Sequence, residues 1–305
     1  MPALLVLYFI VALTYAALCG ILGKAYHPLI AYLICALALT PGLALALIGG
    51  RILGLWEWRR LWPPTPPETK AALASVLILT VSTLMYLSPQ SMIAILIAQA
   101  GCLCLPVIIR QKETGGSVAR RDNLLSFVLV ALSIGAVILS ILHKPLTVAF
   151  LPVVYGLLKT LGYWFKISAC DKVKAKRSAQ DTADFLAAEQ VLVSLSALAV
   201  AAVFAIAAMQ SGVGHGGKAF AFDWRLWTIG FTSLGMGLLG TRIMLDVKPT
   251  SLTFPAYKMV GLLAALGASV ARGELTLRAD CWPGWTAASL ACVVIWLSRP
   301  GAATE

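Results

Sequence analysis

Charge is what this sequence has least of. Only 12% of its 305 residues are Asp, Glu, Lys or Arg, about half the share of an ordinary soluble domain, while 60% are hydrophobic. That balance excludes a water-soluble globular protein. Acids are scarcer still, thirteen against 24 basic residues. They form no DDxxD-like or HExxH-like arrangement of the kind that metal-assisted chemistry on a lipid or polyprenyl substrate uses. No P-loop is present, so ATP is not expected as the energy source. Histidine is nearly missing, and His27, His143 and His215 all fall in gaps between apolar runs, where we assign them no role. The seven cysteines are scattered mostly inside apolar runs. Cys102 and Cys104 are two apart and point to different faces of a helix, so all seven read as small core residues. We expect no enzymatic activity, no cofactor and no metal.

Long apolar runs are what the sequence does have. Between charged or Pro/Gly-rich breaks lie ten candidate spans, approximately 4–23, 29–50, 71–88, 91–109, 123–142, 145–165, 183–210, 226–245, 249–271 and 281–298. Each approaches the roughly 20 residues a helix needs to cross a hydrocarbon core about 30 Å thick. The runs are continuous and rich in Leu and Ala, without the short alternation of barrel strands. The third and tenth are short enough to be tilted or partly interfacial. The opening "MPALLVLYFIVALTYAALCG" lacks a basic leader and an A-x-A-like cleavage site, so it reads as the first span and not as a signal peptide.

Ten spans put alternate gaps on opposite sides. Sixteen basic residues fall on the side shared by both termini and six on the other; the remaining two are Lys159 and Lys258, inside spans. The positive-inside rule then places both termini in the cytoplasm, with the chain multi-pass in the cytoplasmic (inner) membrane. This bias accounts for most of the net charge of +11, so no nucleic-acid partner is expected. In "RILGLWEWRRLWPPTPPETK", Trp56, Trp58 and Trp62 alternate with Arg59 and Arg60 as an interfacial anchor against anionic lipid. The segment "KISACDKVKAKRSAQDTAD" lies near the midpoint and reads as a linker with solvated, lipid-facing lysines.

The fold expected is an all-α integral membrane protein of about ten transmembrane helices in two inverted five-helix repeats, 1–143 and 144–305, forming one membrane domain. An odd number of helices per half turns the second copy upside down, a device of transporters that hold substrate near the midplane. The segments "LSPQSMIAILIAQAGCLCLPVIIRQKE" and "VKPTSLTFPAYKMVGLLAALGASVARGE" match in layout. Each opens on a proline followed within two residues by serine and ends in a basic residue and a glutamate, Glu113 and Glu274. With "GEL" at Gly273–Leu275, these segments resemble the drug/metabolite transporter superfamily, its EamA-like branch in particular. The first span carries Tyr15 where that family commonly has tryptophan. The resemblance implies a secondary transporter working by alternating access.

Lys258 carries the sharpest question. It lies ten residues after Lys248, roughly 15 Å by helical rise, near the bilayer centre. A lysine there costs about 2.5–3.5 kcal/mol on insertion scales. It must face a wet cavity, pair with an acid or shed its proton, and Pro255 loosens the helix beside it. Its role is either to meet an anionic substrate group or to tether helices. Lys159 lies seven residues before Lys166, so two readings stand: snorkelling to the interface, or lining the cavity. Paired with Lys258, it resembles the lysines with which members of the same superfamily hold phosphate. Gln99 falls near the repeat-equivalent of Lys258 and serves either an interhelical hydrogen bond or the cavity wall. Tyr15, Tyr163, Trp164 and Tyr257 are candidate walls. Glu189 either sits at headgroup level near a helix start or carries a coupling proton. The function expected is transport of a small metabolite with a carboxylate or phosphate. The alternatives are export of amino acids or amphipathic drugs, or a membrane protein that transports nothing. The partners expected are that small-molecule substrate and membrane lipids.

Overall fold

The computed structural model describes residues 2–22, 27–52, 54, 63–87, 95, 98, 102, 105, 131, 146–174, 179–210, 224–246 and 250–271. They form α1 (Pro2–Leu22), α2 (Pro28–Ile52), α3 (Pro66–Leu87), α4 (Leu146–Lys174), α5 (Ala179–Gln210), α6 (Trp224–Met244) and α7 (Thr250–Ala271). No strand occurs among the described residues. Of the expected spans 91–109, 123–142 and 281–298, almost all lies outside these residues. The exceptions are Ala131, helical and exposed, and Ile95, Ala98, Cys102 and Leu105, all four helical and buried at a spacing that puts them on one helix face.

The helix ends follow from local chemistry. Helices α1, α2 and α3 each open on a proline, whose missing N–H would have no intrahelical partner there. At the start of α3 the Thr65 backbone N–H donates to Glu68 Oε2 at 2.5 Å, one half of a capping box written "TPPE". That cap starts the helix five residues before the expected 71, so α3 is a full 22 residues and not a short span. Past the end of α2, Gly54 takes φ +70° and its N–H reaches the Arg51 carbonyl at 3.1 Å. Only glycine adopts that left-handed conformation without strain.

Helices α4 and α5 depart most from expectation. They are 29 and 32 residues long, about 44 and 48 Å by helical rise. The segment read as a linker from Lys166 is helical through Lys174, and the chain is helical again from Ala179. Their adjoining ends carry Lys172, Lys174 and Asp181, which supports the added turns at a polar margin.

Among the described residues, three helices are long and apolar enough to cross a membrane: Pro2–Ile21, Pro66–Met85 and Asp181–Gln210. The distribution of side chains fits an apolar solvent. Val6, Ile10, Leu73, Leu157, Val203 and Ile206 are exposed on the outside, while Lys159, Lys166, Asp184, Glu189 and Lys258 are buried. Soluble proteins do the reverse.

The first three helices pack mainly against helices from later in the chain: α1 on α6 and α7, α2 on α5 and α6, and α3 on α4 and α5. Gly162 is what lets α4 approach α3, since a Cβ there would sit 2.8 Å from Ile78 Cγ1 and 3.4 Å from the Ala74 carbonyl oxygen. Tyr32 ties three helices, its hydroxyl 2.8 Å from Thr80 Oγ1 and its ring edge-on to Phe204 at 5.0 Å. All seven described helices border a common space.

Candidate functional site

That space is a cavity of about 90 Å³ to which every described helix contributes. Admitting one water takes about 10–15 Å³, so the cavity has room for a small molecule. Helical spacing explains which residues reach it. Tyr8, Ala12 and Tyr15 of α1 stand at i, i+4 and i+7, and so do Lys159, Tyr163 and Lys166 of α4. Helix α3 presents Ser75, Ile78, Leu79 and Ser82, and α7 presents Tyr257, Lys258 and Gly261. Leu39 of α2, Gln190 and Val193 of α5, and Ser233, Leu234, Met236 and Gly237 of α6 close the wall.

Five of the residues singled out from sequence, Lys258, Lys159, Tyr15, Tyr163 and Tyr257, therefore meet at one cavity. Lys258 is 3% exposed, and its Nζ stands 3.0 Å from the centroid of the Tyr163 ring, with Phe254 and Tyr257 at 5.2 and 5.4 Å. A desolvated cation over an aromatic face gains up to about 2 kcal/mol. The cage thus offsets part of the cost of burying the ammonium. The cage is itself braced: the Tyr163 and Tyr257 hydroxyls are 3.0 Å apart, and Tyr8 packs on Tyr257 with ring centroids at 4.7 Å. Lys159, 7% exposed, takes the cavity position of its two readings and does not snorkel outward. Tyr15 is fully buried, with its hydroxyl 2.7 Å from Thr83 Oγ1, which donates onward to the Leu79 carbonyl.

Glu189 lies ten positions into α5, about 15 Å from the helix start, and is 0% exposed. Its Oε1 is 3.0 Å from Lys166 Nζ and accepts a hydrogen bond from Ser75 Oγ at 2.5 Å. Lys166, placed from sequence among solvated linker lysines, is instead 5% exposed and lines the cavity. Sequence spacing held the signal for it, since Lys159, Tyr163 and Lys166 share one face of α4. Trp164, the next residue round the helix from Tyr163, is 40% exposed and forms no part of the wall. Gln99 and the glutamates Glu113 and Glu274 lie outside the described residues. Ser75, Ser82, Gln190 and Ser233 were not singled out, because single small polar residues in apolar helices carry no pattern of their own.

Electrostatically the cavity is one-sided. Among the described residues that line it, the charged side chains are Lys159, Lys166 and Lys258, with no acid. Glu189 stands behind Lys166 and balances one of the three. Such a space attracts an anion, whose carboxylate or phosphate can form charge-assisted hydrogen bonds worth roughly 1.5–3 kcal/mol each. No protein-family model matches the chain, and no curated relative matches it.

Proposed function

We propose that the protein is a secondary transporter that moves a small anionic metabolite, bearing a carboxylate or phosphate, across the cytoplasmic membrane by alternating access. The observation that carries this reading is the set of three buried lysines around one small cavity inside helices whose outer faces are apolar. Buried lysines are costly in apolar surroundings, and intramembrane charges mark substrate or ion pathways. The proposal includes ten membrane helices in two inverted five-helix repeats, both termini in the cytoplasm, and a place in the EamA-like branch of the drug/metabolite transporters. Its support for those finer points is the sequence layout, the basic-residue bias and the two matching segments. In this reading Lys258 and Lys159 hold the anion, while Tyr15, Tyr163 and Tyr257 wall its body.

The aromatic cage around Lys258 favours one second reading, export of amines or amphipathic cations. There a substrate ammonium would take the ring faces that Lys258 now occupies. Thermal unfolding of the purified protein against glycerate, inorganic phosphate and tetramethylammonium separates the two. Stabilisation by the anions alone is expected, and stabilisation by the cation alone overturns the anion reading. Transport is tested in proteoliposomes: Lys258→Met should abolish uptake of the stabilising anion while leaving expression and folding intact. Normal uptake by that variant rules out a binding role for Lys258.

A further inference from the structure

We infer that the part of the cavity wall built by α5 and α6 is a hydrogen-bonding subsite, formed by Gln190 and Ser233, that selects a hydroxyl-bearing anion over an alkyl one. This rests on the anion reading above and names the body that the anion carries.

Gln190 and Ser233 are 2% and 4% exposed, and both line the cavity. Neither Gln190 Nε2 nor Ser233 Oγ has a hydrogen-bond partner among the described residues. The buried hydroxyls of Ser194, Thr241 and Thr253 also have no partner among the described residues, but of these four only Ser233 lines the cavity. The preceding residue, Thr232, donates back to the Thr228 and Ile229 carbonyls at 2.8 and 3.1 Å, and Thr228 donates to the Trp224 carbonyl at 2.9 Å. Those hydroxyls satisfy themselves on their own helix, whereas the Ser233 hydroxyl is left for the cavity. One turn further along α6 is Gly237, where a Cβ would come within 3.3 Å of Gln190 Oε1 and 3.5 Å of Nε2. The glycine keeps the space beside the amide open to whatever occupies the cavity.

A buried donor without a partner is costly, so an occupant that supplies the missing partner gains what an alkyl chain of equal size cannot. The two ends of an amide exchange by rotation about its last bond, and Gln190 offers either a donor or an acceptor. A hydroxyl group both donates and accepts and meets either arrangement, as it meets the Ser233 hydroxyl. Sites that hydrogen-bond a substrate hydroxyl reject the analogue lacking it far more strongly than apolar pockets reject an extra methylene. The substrate class is therefore a compact hydroxylated carboxylate or phosphate ester, within the size that the cavity allows.

The test is calorimetric titration of the purified full chain with matched pairs, glycerate against propionate and glycerol 3-phosphate against propyl phosphate, with glycerol as the neutral control. We expect the hydroxylated member of at least one pair to bind about tenfold or more tightly than its alkyl partner. In Gln190→Leu/Ser233→Ala that preference should vanish, with alkyl-anion affinity unchanged. The unliganded double variant should unfold at the same or a higher temperature, because it replaces partnerless polar groups by apolar ones. Equal affinity within both pairs in the unaltered protein overturns the subsite and leaves the anion reading standing, and this comparison needs no variant to fold. A preference that survives in the double variant also overturns it. Glycerol binding as tightly as glycerate leaves the subsite standing and overturns the anion reading, and no binding by either anion class overturns both.

Discussion

Breaking the Lys166–Glu189 pair from either side should destabilise the protein by unequal amounts, and removing both charges should cost less than removing one. Breaking a buried ion pair by deleting one partner generally costs about 3–5 kcal/mol, because the survivor is an uncompensated buried charge. Lys166 lines the cavity, so in Glu189→Leu water can reach the stranded ammonium, which puts that variant near the low end, about 3 kcal/mol. Glu189 has no such relief: it is 0% exposed, and its Oε2 has no partner among the described residues. Lys166→Met therefore belongs near the high end, about 4–5 kcal/mol, with only the Ser75 hydrogen bond left to the carboxylate. Lys166→Met/Glu189→Leu strands neither charge and should be milder than both single changes. The assay is sodium dodecyl sulfate titration of the purified protein in mixed micelles, followed by tryptophan fluorescence. Single costs below about 1 kcal/mol, or single costs that simply add in the double variant, would refute the view that these charges hold each other in place.

Two further outcomes follow from packing and exposure. Gly162→Val pushes a branched side chain against Ile78 and the Ala74 carbonyl and should cost about 1–3 kcal/mol, read as a lower unfolding midpoint in the same titration; an unchanged midpoint would mean that α3 and α4 are not in close contact there. A variant retaining Trp164 as its one tryptophan should have its fluorescence quenched by brominated lipid chains in reconstituted bilayers, and quenching only by aqueous iodide would place that face of α4 in water.

Much of the helical layout was legible because apolar runs of membrane length announce themselves. The margins of those runs were not. The apolar count began α3 at 71 and α5 at 183, whereas the Thr65–Glu68 cap and a polar first turn carry the helices back to Pro66 and Ala179. Lys258 and Lys159 stood out because charge inside an apolar run is expensive, a property a sequence displays directly. Lys166 escaped notice because it borders a lysine-rich stretch, and nothing local distinguishes it from its solvated neighbours. What sets it apart is Glu189, 23 residues on. Lys166 lies eight residues before the end of α4 and Glu189 ten after the start of α5, about 12 and 15 Å along their helices, which brings the two level once the chain turns back. Gln190 and Ser233 acquire meaning only when α5 and α6 are seen to wall the same space.

The grip on Tyr163 has one more consequence. Two successive residues of α7 hold this single ring, Tyr257 by its hydroxyl and Lys258 by its face. Successive residues point about 100° apart around a helix axis, so both contacts hold together only over a narrow range of rotation of α7 against α4. A fluorine placed on the Tyr163 ring would feel the ammonium above it and the hydroxyl at its tip as separate contributions to one resonance. The ring is in effect a built-in goniometer, its chemical shift reporting the angle of α7 against α4.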